Sequence, residues 1–433
     1  MSDWKEFFRG KTITVMGLGL LGRGVGDAEF LAKFAKEIIV TDLKTSTALE
    51  SSLARLRKFK NIKYVLGKHR LEDFKNRDFI IKAAGVPLDS PYITHARKHK
   101  MPVYMSTALF AYLSPSKIIG VTGTRGKTTV TYMLYEILKR AKKGRVYLGG
   151  NVQGMATLPM LAQAKKDDVY VLELDSWQLQ GFGDLKISPP LSVFTNFMPD
   201  HLNYYKNDLK KYFGDKANIF KYQKRGDILI VGENLKKIPK RAIRISESDL
   251  PRDIILQIPG KHNRFNAALA YVSAKKFGIP IPLIKKSLRE FKGVSGRLEK
   301  IRDYKGVEIY NDTTATTPHA LKIALEALNG KQVILIAGGS DKNIGLALLK
   351  KPLTLCKKII LFPGSGTDRL IKEKIVKQFI LAKEMNDAVQ KAFRFTTKGE
   401  AILLSPGFAS FGLFKNEYDR GEKFVTAIKK FTK

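Results

Sequence analysis

The chain has 433 residues, 44% of them hydrophobic, a single Cys, and 77 Lys+Arg against 40 Asp+Glu for a net charge of +37. This excludes a disordered chain and an intramolecular disulfide scaffold, and the length provides for about two to four domains, each with its own core. No run of about 18 apolar residues occurs, and the opening MSDWKEFFRGKTITVMG has no apolar signal-peptide core, so a cytoplasmic protein without membrane contact is expected; separately, a monomer is expected.

Thr12–Met16 reads as a β-branched strand, followed by Gly17-Leu18-Gly19-Leu20-Leu21-Gly22, a helical stretch to Lys36 and a second strand, Glu37–Asp42. That is a βαβ unit with G-x-G-x-x-G at its first turn and an acid 20 residues after Gly22. Tyr64–Leu66 and Phe79–Ala83 are further strands. Ser114-Pro115-Ser116 then punctuates the chain before a strand at Lys117–Val121, a helix at Thr128–Ala141 and strands at Val169–Leu174 and Leu191–Thr195. Helices are predicted over Asp208–Gln223 and Asn263–Phe277, and Gly293-Val294-Ser295-Gly296 reads as a hinge. Val307–Tyr310, Pro318–Leu328, Val333–Ala337, Ile359–Phe362 and Ala401–Ser405 continue the alternation of strand and helix. The pattern predicts an α/β protein of three domains. They are an N-terminal Rossmann-like domain (1–114), a central phosphate-loop domain with a mostly parallel sheet (115–296) and a C-terminal Rossmann-like domain (297–433).

The strongest local signal is Gly120-Val-Thr-Gly-Thr-Arg-Gly-Lys-Thr-Thr129, between a strand and a helix. Glycines let backbone N–H groups approach phosphates, and the helix N-terminus adds positive potential. Lys127 is placed to reach the β- and γ-phosphates and the Thr128 hydroxyl to ligate Mg²⁺. Val121 stands where the common pattern has its first Gly. A nucleoside triphosphate is expected here. The N-terminal glycine turn is less specific: it fits a tight turn, a dinucleotide or another nucleotide, and a dehydrogenase reading would leave the loop at 120–129 unexplained. Glu173, near the end of one strand, and His201, just past another strand of the same domain, are candidate ligands for the Mg²⁺ of a bound triphosphate.

Taken together, these motifs resemble the Mur ligase family over essentially the whole chain. The landmarks are Thr122-Gly-Thr-Arg-Gly-Lys-Thr128, Glu173-Leu-Asp-Ser-Trp-Gln178, Asp200-His201, Gly260-Lys-His-Asn-Arg-Phe-Asn266, Gly296-Arg297-Leu-Glu299, Asn311-Asp312, Ala337-Gly-Gly-Ser-Asp-Lys342 and Leu404-Ser-Pro-Gly-Phe-Ala-Ser410. The resemblance implies ATP-dependent addition of D-glutamate to UDP-N-acetylmuramoyl-L-alanine through an acyl phosphate, with two Mg²⁺ ions. It implies ATP contacts from Gly123, Thr124, Arg125, Gly126, Lys127, Thr128, Thr129, Asn266, Arg297 and Asp312. Thr128 and Glu173 would hold one Mg²⁺, and His201 and a carbamylated Lys216 the second. Leu20, Leu21 and Asp42 would meet the uridine, Asn151 and Gln178 the sugar–peptide, and Thr316, Lys342 and Ser410 the D-glutamate.

Four positions depart from the family's usual residues. Arg125 replaces an Asn, Thr314 a Lys, Glu417 an aromatic residue and Ala83 a hydroxyl. Thr314 and Glu417 motivate an alternative within the family, a related amide ligase for another amino acid. The charge admits one outside it, a basic nucleic-acid-binding NTPase, although the basic residues are dispersed in pieces such as Lys139-Arg140 and Lys429-Lys430. Solvated lysine-rich faces or a field that gathers anionic substrates explain the same charge without nucleic acid.

Overall fold

The computed structural model describes residues 3–432 except 20, 21, 88, 142, 143, 153, 202 and 203. Its contacts group into two compact units, Met1–Pro251 with Phe265–Ser287, and Arg252–Arg264 with Leu288–Lys433. Among the described residues no helix is long and apolar enough to cross a membrane.

The first unit holds two sheets. One comprises β1 (Thr12–Met16), β2 (Glu37–Asp42), β3 (Ile62–Leu66), β4 (Phe79–Lys82) and β5 (Val103–Tyr104), in the order β3-β2-β1-β4-β5. All its pairings are parallel. Strand β1 is buried from Ile13 to Met16 because helices cover both faces, which is why its apolar character is nearly continuous. The order in which strands are added to the sheet reverses between β1 and β4, and in such sheets a crevice opens at the carboxyl ends of those strands. The predicted bounds of β1 and β2 hold. The helix after Gly22, however, runs only over Arg23–Leu31, because Lys33 and Phe34 donate back three residues in tight turns and Lys36 donates to Lys11 O, feeding the chain into β2.

The other sheet comprises β6 (Lys117–Thr122), β7 (Val146–Gly150), β8 (Val169–Glu173), β9 (Leu191–Phe194), β10 (Ile228–Gly232) and β11 (Ile243–Ile245), in the order β11-β10-β9-β6-β8-β7 and again all parallel. The structure adds a helix at Ser176–Asp184 that its Gly181 and Gly183 disguise. Asp175 and Gln178 form a reciprocal capping box at its start, and Gly181 lets Met105 and Ala108 pack against its backbone.

The second unit holds β12 (Glu299–Tyr304), β13 (Val307–Asn311), β14 (Val333–Gly338), β15 (Cys356–Phe362), β16 (Ile380–Leu381) and β17 (Ala401–Leu404), in the order β12-β13-β17-β14-β15-β16. Only β12 with β13 is antiparallel among these pairs. Lys305 and Gly306 join them with φ of 53° and 77°, the handedness a two-residue hairpin needs. Alternate residues feed separate cores on the two faces, Leu335, Leu361 and Leu403 on one and Ile334, Ile336, Ile360 and Ile402 on the other.

Candidate active site

The phosphate loop leaves β6 at Thr122, whose hydroxyl donates to Leu174 O at 2.7 Å and so ties the loop's base to β8. A Cβ on Gly123 would lie 1.9 Å from Thr195 Oγ1, and one on Gly126 2.4 Å from Asn266 Oδ1. Asn266 is therefore against the loop. Asn196 O accepts from Thr124 N at 2.9 Å and Asn196 Oδ1 accepts from Arg125 N at 2.9 Å, while Arg125 O accepts from the Thr195 hydroxyl at 2.5 Å. The Thr124 hydroxyl takes the Met198 N–H at 3.0 Å and donates to Met198 O at 3.1 Å. Sequence reasoning singled out neither Thr195 nor Asn196. Their work depends on β9 lying beside β6, a pairing no local pattern reveals. Thr128 and Thr129 stand in the first turn of the helix Lys127–Arg140, and Lys127 Nζ donates to Thr124 O at 3.2 Å.

Glu173 ends β8, in register with Val121 of β6, and is buried. The Asn151 amide donates to Glu173 Oε1 at 3.5 Å, and Asn151 Oδ1 accepts from Arg23 Nη1 at 2.8 Å. Lys216 is 2% exposed on the helix Leu209–Lys221; its Nζ donates to Gly123 O at 2.8 Å and stands 5.1 Å from the Tyr212 ring. Burial, reinforced by the Lys127 charge, holds the Lys216 ammonium well below the usual lysine range. His201 has a φ of 52° and rests its ring against Trp177 at 4.9 Å. Burial pulls its pKa down against the opposing Asp200, with Lys216 and Lys127 adding to the fall, so the neutral imidazole is favoured. Arg125 lies 3.5 Å from Asp200 Oδ2. The structure thus brings Arg125, Lys127, Lys216 and His201 around one loop.

Among the described residues no three His, Cys, Asp or Glu side chains cluster tightly enough to hold a metal by themselves. The donor chemistry still fits Mg²⁺, which takes one or two carboxylates and completes its shell with phosphate oxygens and water.

In the first sheet, Asp42 points into the glycine turn. Its Oδ2 accepts from Leu18 N at 2.9 Å and Gly19 N at 3.3 Å, and its Oδ1 accepts from Lys44 N at 2.9 Å, so the carboxylate braces the turn's backbone. Leu20 and Leu21 lie outside the described residues. Beside the turn, at the carboxyl ends of β1 and β4, is a cavity of about 240 Å³ lined by Gly17, Arg23, Asp27, Lys82, Ala83 and Gln178 among others. Gln178 Nε2 donates to Thr107 Oγ1 at 3.1 Å. Burial pushes the Asp27 carboxyl up to about 7, with a hydrogen bond from the Ser106 hydroxyl opposing it, and draws Lys82 down to about 8.

In the second unit, Lys342 Nζ donates to Thr316 Oγ1 at 3.0 Å, which brings two predicted residues together. Ser410 is buried, and the adjoining Ala409 bridges Ser340. Asp312 is buried, accepts from Leu298 N at 3.0 Å and from the Ser405 hydroxyl at 2.8 Å, and is pushed up to about 7 by burial, against those hydrogen bonds and the charge of the exposed Arg297. Thr314 donates to Gly296 O at 2.9 Å. Arg420 was not foreseen: it is fully buried and donates to Thr313 O at 2.8 Å, Thr313 Oγ1 at 3.2 Å and Phe408 O at 3.3 Å. It thereby braces the segments that carry Asp312, Thr314 and Ser410. Glu417 opens the helix Glu417–Phe431, and its backbone carbonyl accepts from the Thr313 hydroxyl at 2.7 Å.

Residues 11–105 match the Mur ligase MurD-like N-terminal domain, residues 121–250 the Mur ligase middle domain and residues 296–408 the Mur ligase glutamate ligase domain. The chain is 35% identical to UDP-N-acetylmuramoylalanine--D-glutamate ligase of Borreliella burgdorferi over 96% of both chains. It is 32% identical to the enzyme of that name from Roseiflexus sp., covering 98% of this chain and 99% of the relative. Among solved structures, UDP-N-acetylmuramate-alanine ligase from Thermotoga maritima superposes with a TM-score of 0.60 at 17% identity, covering 97% of this chain and 100% of that one. MurF ligase from the same organism, in complex with ADP, gives 0.59 at 17% identity over 100% of both chains. At these identities the structures speak for the fold.

Proposed function

The chain belongs to the Mur ligase family, and from that premise we propose how its residues carry the reaction that its curated relatives are named for. It is an ADP-forming ligase that joins D-glutamate to UDP-N-acetylmuramoyl-L-alanine in peptidoglycan precursor synthesis. The observation that carries the reading is the gathering of Lys127, Lys216 and His201 on the Gly123–Gly126 loop.

The alanyl carboxylate attacks the γ-phosphorus of ATP, ADP departs, and an acyl phosphate forms. The amine of D-glutamate then attacks the acyl carbon, and the tetrahedral intermediate expels phosphate. The obstacle in the first step is repulsion between carboxylate and triphosphate. Lys127 and the N–H groups at the start of its helix counter it with positive potential fixed in place beforehand. Lys127 leaves Thr124 O for the phosphates when they bind. Asn266 borders the same loop, and Arg297 and Asp312 are assigned to the nucleotide. Thr128 and Glu173 suit one Mg²⁺, and His201 suits the second with Lys216, whose lowered pKa brings within reach the neutral amine that adds carbon dioxide, with loss of a proton, to become a carbamate. The ions would neutralise charge on the phosphate oxygens. Thr316, Lys342 and Ser410 are assigned to the D-glutamate carboxylates, and Gln178 and Asn151 to the sugar–peptide.

This reading divides the work among residues 1–114 for the UDP moiety, 115–296 for ATP and 297–433 for the amino acid. It places the enzyme in the cytoplasm as a monomer whose partners are small molecules. The test is phosphate release from ATP and Mg²⁺ with UDP-N-acetylmuramoyl-L-alanine, with and without D-glutamate. Release that needs both substrates is expected. Release with another amino acid instead moves the substrate within the family, and release indifferent to both substrates overturns the ligase reading.

A further inference from the structure

The cavity beside the first glycine turn contains a cation whose hydrogen-bonding capacity is only partly used. Arg23 is the first residue of the helix after Gly22, and its Nη1 donates to Asn151 Oδ1 at 2.8 Å. Its Nε is buried and has no hydrogen-bond partner among the described residues. A guanidinium holds its donors in a rigid planar fork, so the bond to Asn151 fixes where Nε points. A buried donor without an acceptor is unfavourable, and a ligand oxygen that supplies one gains affinity accordingly.

The other charged side chains lining the cavity are Asp27 and Lys82. Lys82 is turned to Ala83 O at 3.3 Å and Val86 O at 2.7 Å, and Asp27 takes the Ser106 hydroxyl at 2.5 Å. Arg23 has a buried donor with no acceptor among the described residues, and it stands at a helix N-terminus, where the backbone also favours an anion. We propose that Arg23 binds a phosphate oxygen of the UDP moiety through Nε while its Nη1 holds Asn151 in the orientation that keeps the Asn151 amide on Glu173. The second half follows from amide geometry. With Oδ1 committed to Arg23, the NH₂ end must face the other way, and Glu173 Oε1 lies there at 3.5 Å. Arg23 is thus a substrate-binding residue for the nucleotide-sugar and a positioning residue for Glu173. The assignment rests on the ligase reading above.

The test is calorimetric titration of UDP, and separately of ATP, into the full chain as wild type, Arg23→Leu and Arg23→Lys. Arg23→Leu is expected to weaken UDP about tenfold to a hundredfold, Arg23→Lys to recover part of that loss, and ATP affinity, titrated without Mg²⁺ so that Glu173 plays no part, to stay unchanged in all three. In turnover assays the Leu variant should raise KM for the nucleotide-sugar, and the loosened Glu173 should lower kcat as well. Unchanged UDP affinity in Arg23→Leu overturns the assignment, as does a parallel loss of affinity for Mg²⁺-free ATP, which would mark a merely structural role. A wild-type chain that binds no UDP overturns the ligase reading itself, and the inference with it.

Discussion

Two glycine-rich turns follow the first strand of two parallel sheets, and their glycines answer different needs. At the first turn Gly19 has a φ of 63°, and a methyl group there would meet nothing within 4 Å; the turn is shaped by the Asp42 carboxylate behind it and is open in front. At the second turn Gly123 has a φ of 142° and is walled in by Thr195 and Asn196. Gly19 is needed for the backbone angle alone, whereas Gly123 is needed for angle and space together. A surface that only binds can leave room for its ligand. A loop that must hold a triphosphate in line for attack needs its amides fixed before the ligand arrives.

If chemistry is concentrated at the second turn, Lys127→Ala should give the largest effect, a fall in turnover of about a hundredfold or more, by analogy with removing one charge-stabilising donor. Phosphate release measures it, and near-normal activity would erase the distinction between the turns. Next is Gly123→Ala. The methyl group collides with Thr195 Oγ1 and the backbone angle disfavours any side chain, so strain and crowding together should cost about 3 kcal/mol. Urea denaturation reads the loss, and ATP binding should fall with it. A stable variant with intact nucleotide affinity would show the loop to be looser than its contacts indicate.

The two turns were also unequally legible from sequence. Strands β1 and β2 could be bounded to the residue, because β-branched runs ending in glycine or aspartate mark both ends. Gly-Lys-Thr between strand and helix identified the phosphate loop in the same way. What surrounds each turn could not be read. Asn196 is 71 residues from Arg125, Asn151 is 128 from Arg23 and Arg420 is 107 from Thr313, and only the folded sheets bring them together. Strands as short as β5 and β16 carry too few residues for a period. The helix Met385–Arg394, by contrast, was available in Met385, Ala388, Val389 and Ala392, whose spacing of three and four marks its buried face.

The helix of the first turn carries its own pH dependence. Asp27, buried and pushed up to about 7 from an ordinary 3.8, holds its proton in the folded protein where the unfolded chain has released it. Raising the pH from about 4 to about 7 therefore weakens folding, and the effect levels off above that. Asp27→Asn has no proton to lose. Its stability relative to wild type should rise by about 3 kcal/mol between pH 4 and pH 8, read from denaturation midpoints at each pH. Parallel curves for the two proteins would mean that Asp27 ionises as freely folded as unfolded.

Gly19→Ala should give the smallest effect and separates the turns most cleanly. The positive φ of Gly19 penalises any side chain by about 1–2 kcal/mol, but the open space around it adds no collision. The expected loss is about 1 kcal/mol, with ATP affinity untouched because the phosphate loop is a separate structure. UDP affinity supplies the further readout: if the open ground in front of Gly19 is where the nucleotide lies, the methyl group intrudes on the ligand although it disturbs no protein atom. A variant that folds nearly as well as wild type and binds ATP, yet binds UDP more weakly, would place the ligand against this turn. Equal UDP affinity would leave Gly19 with its backbone role alone and move the phosphates further along the cavity toward Arg23.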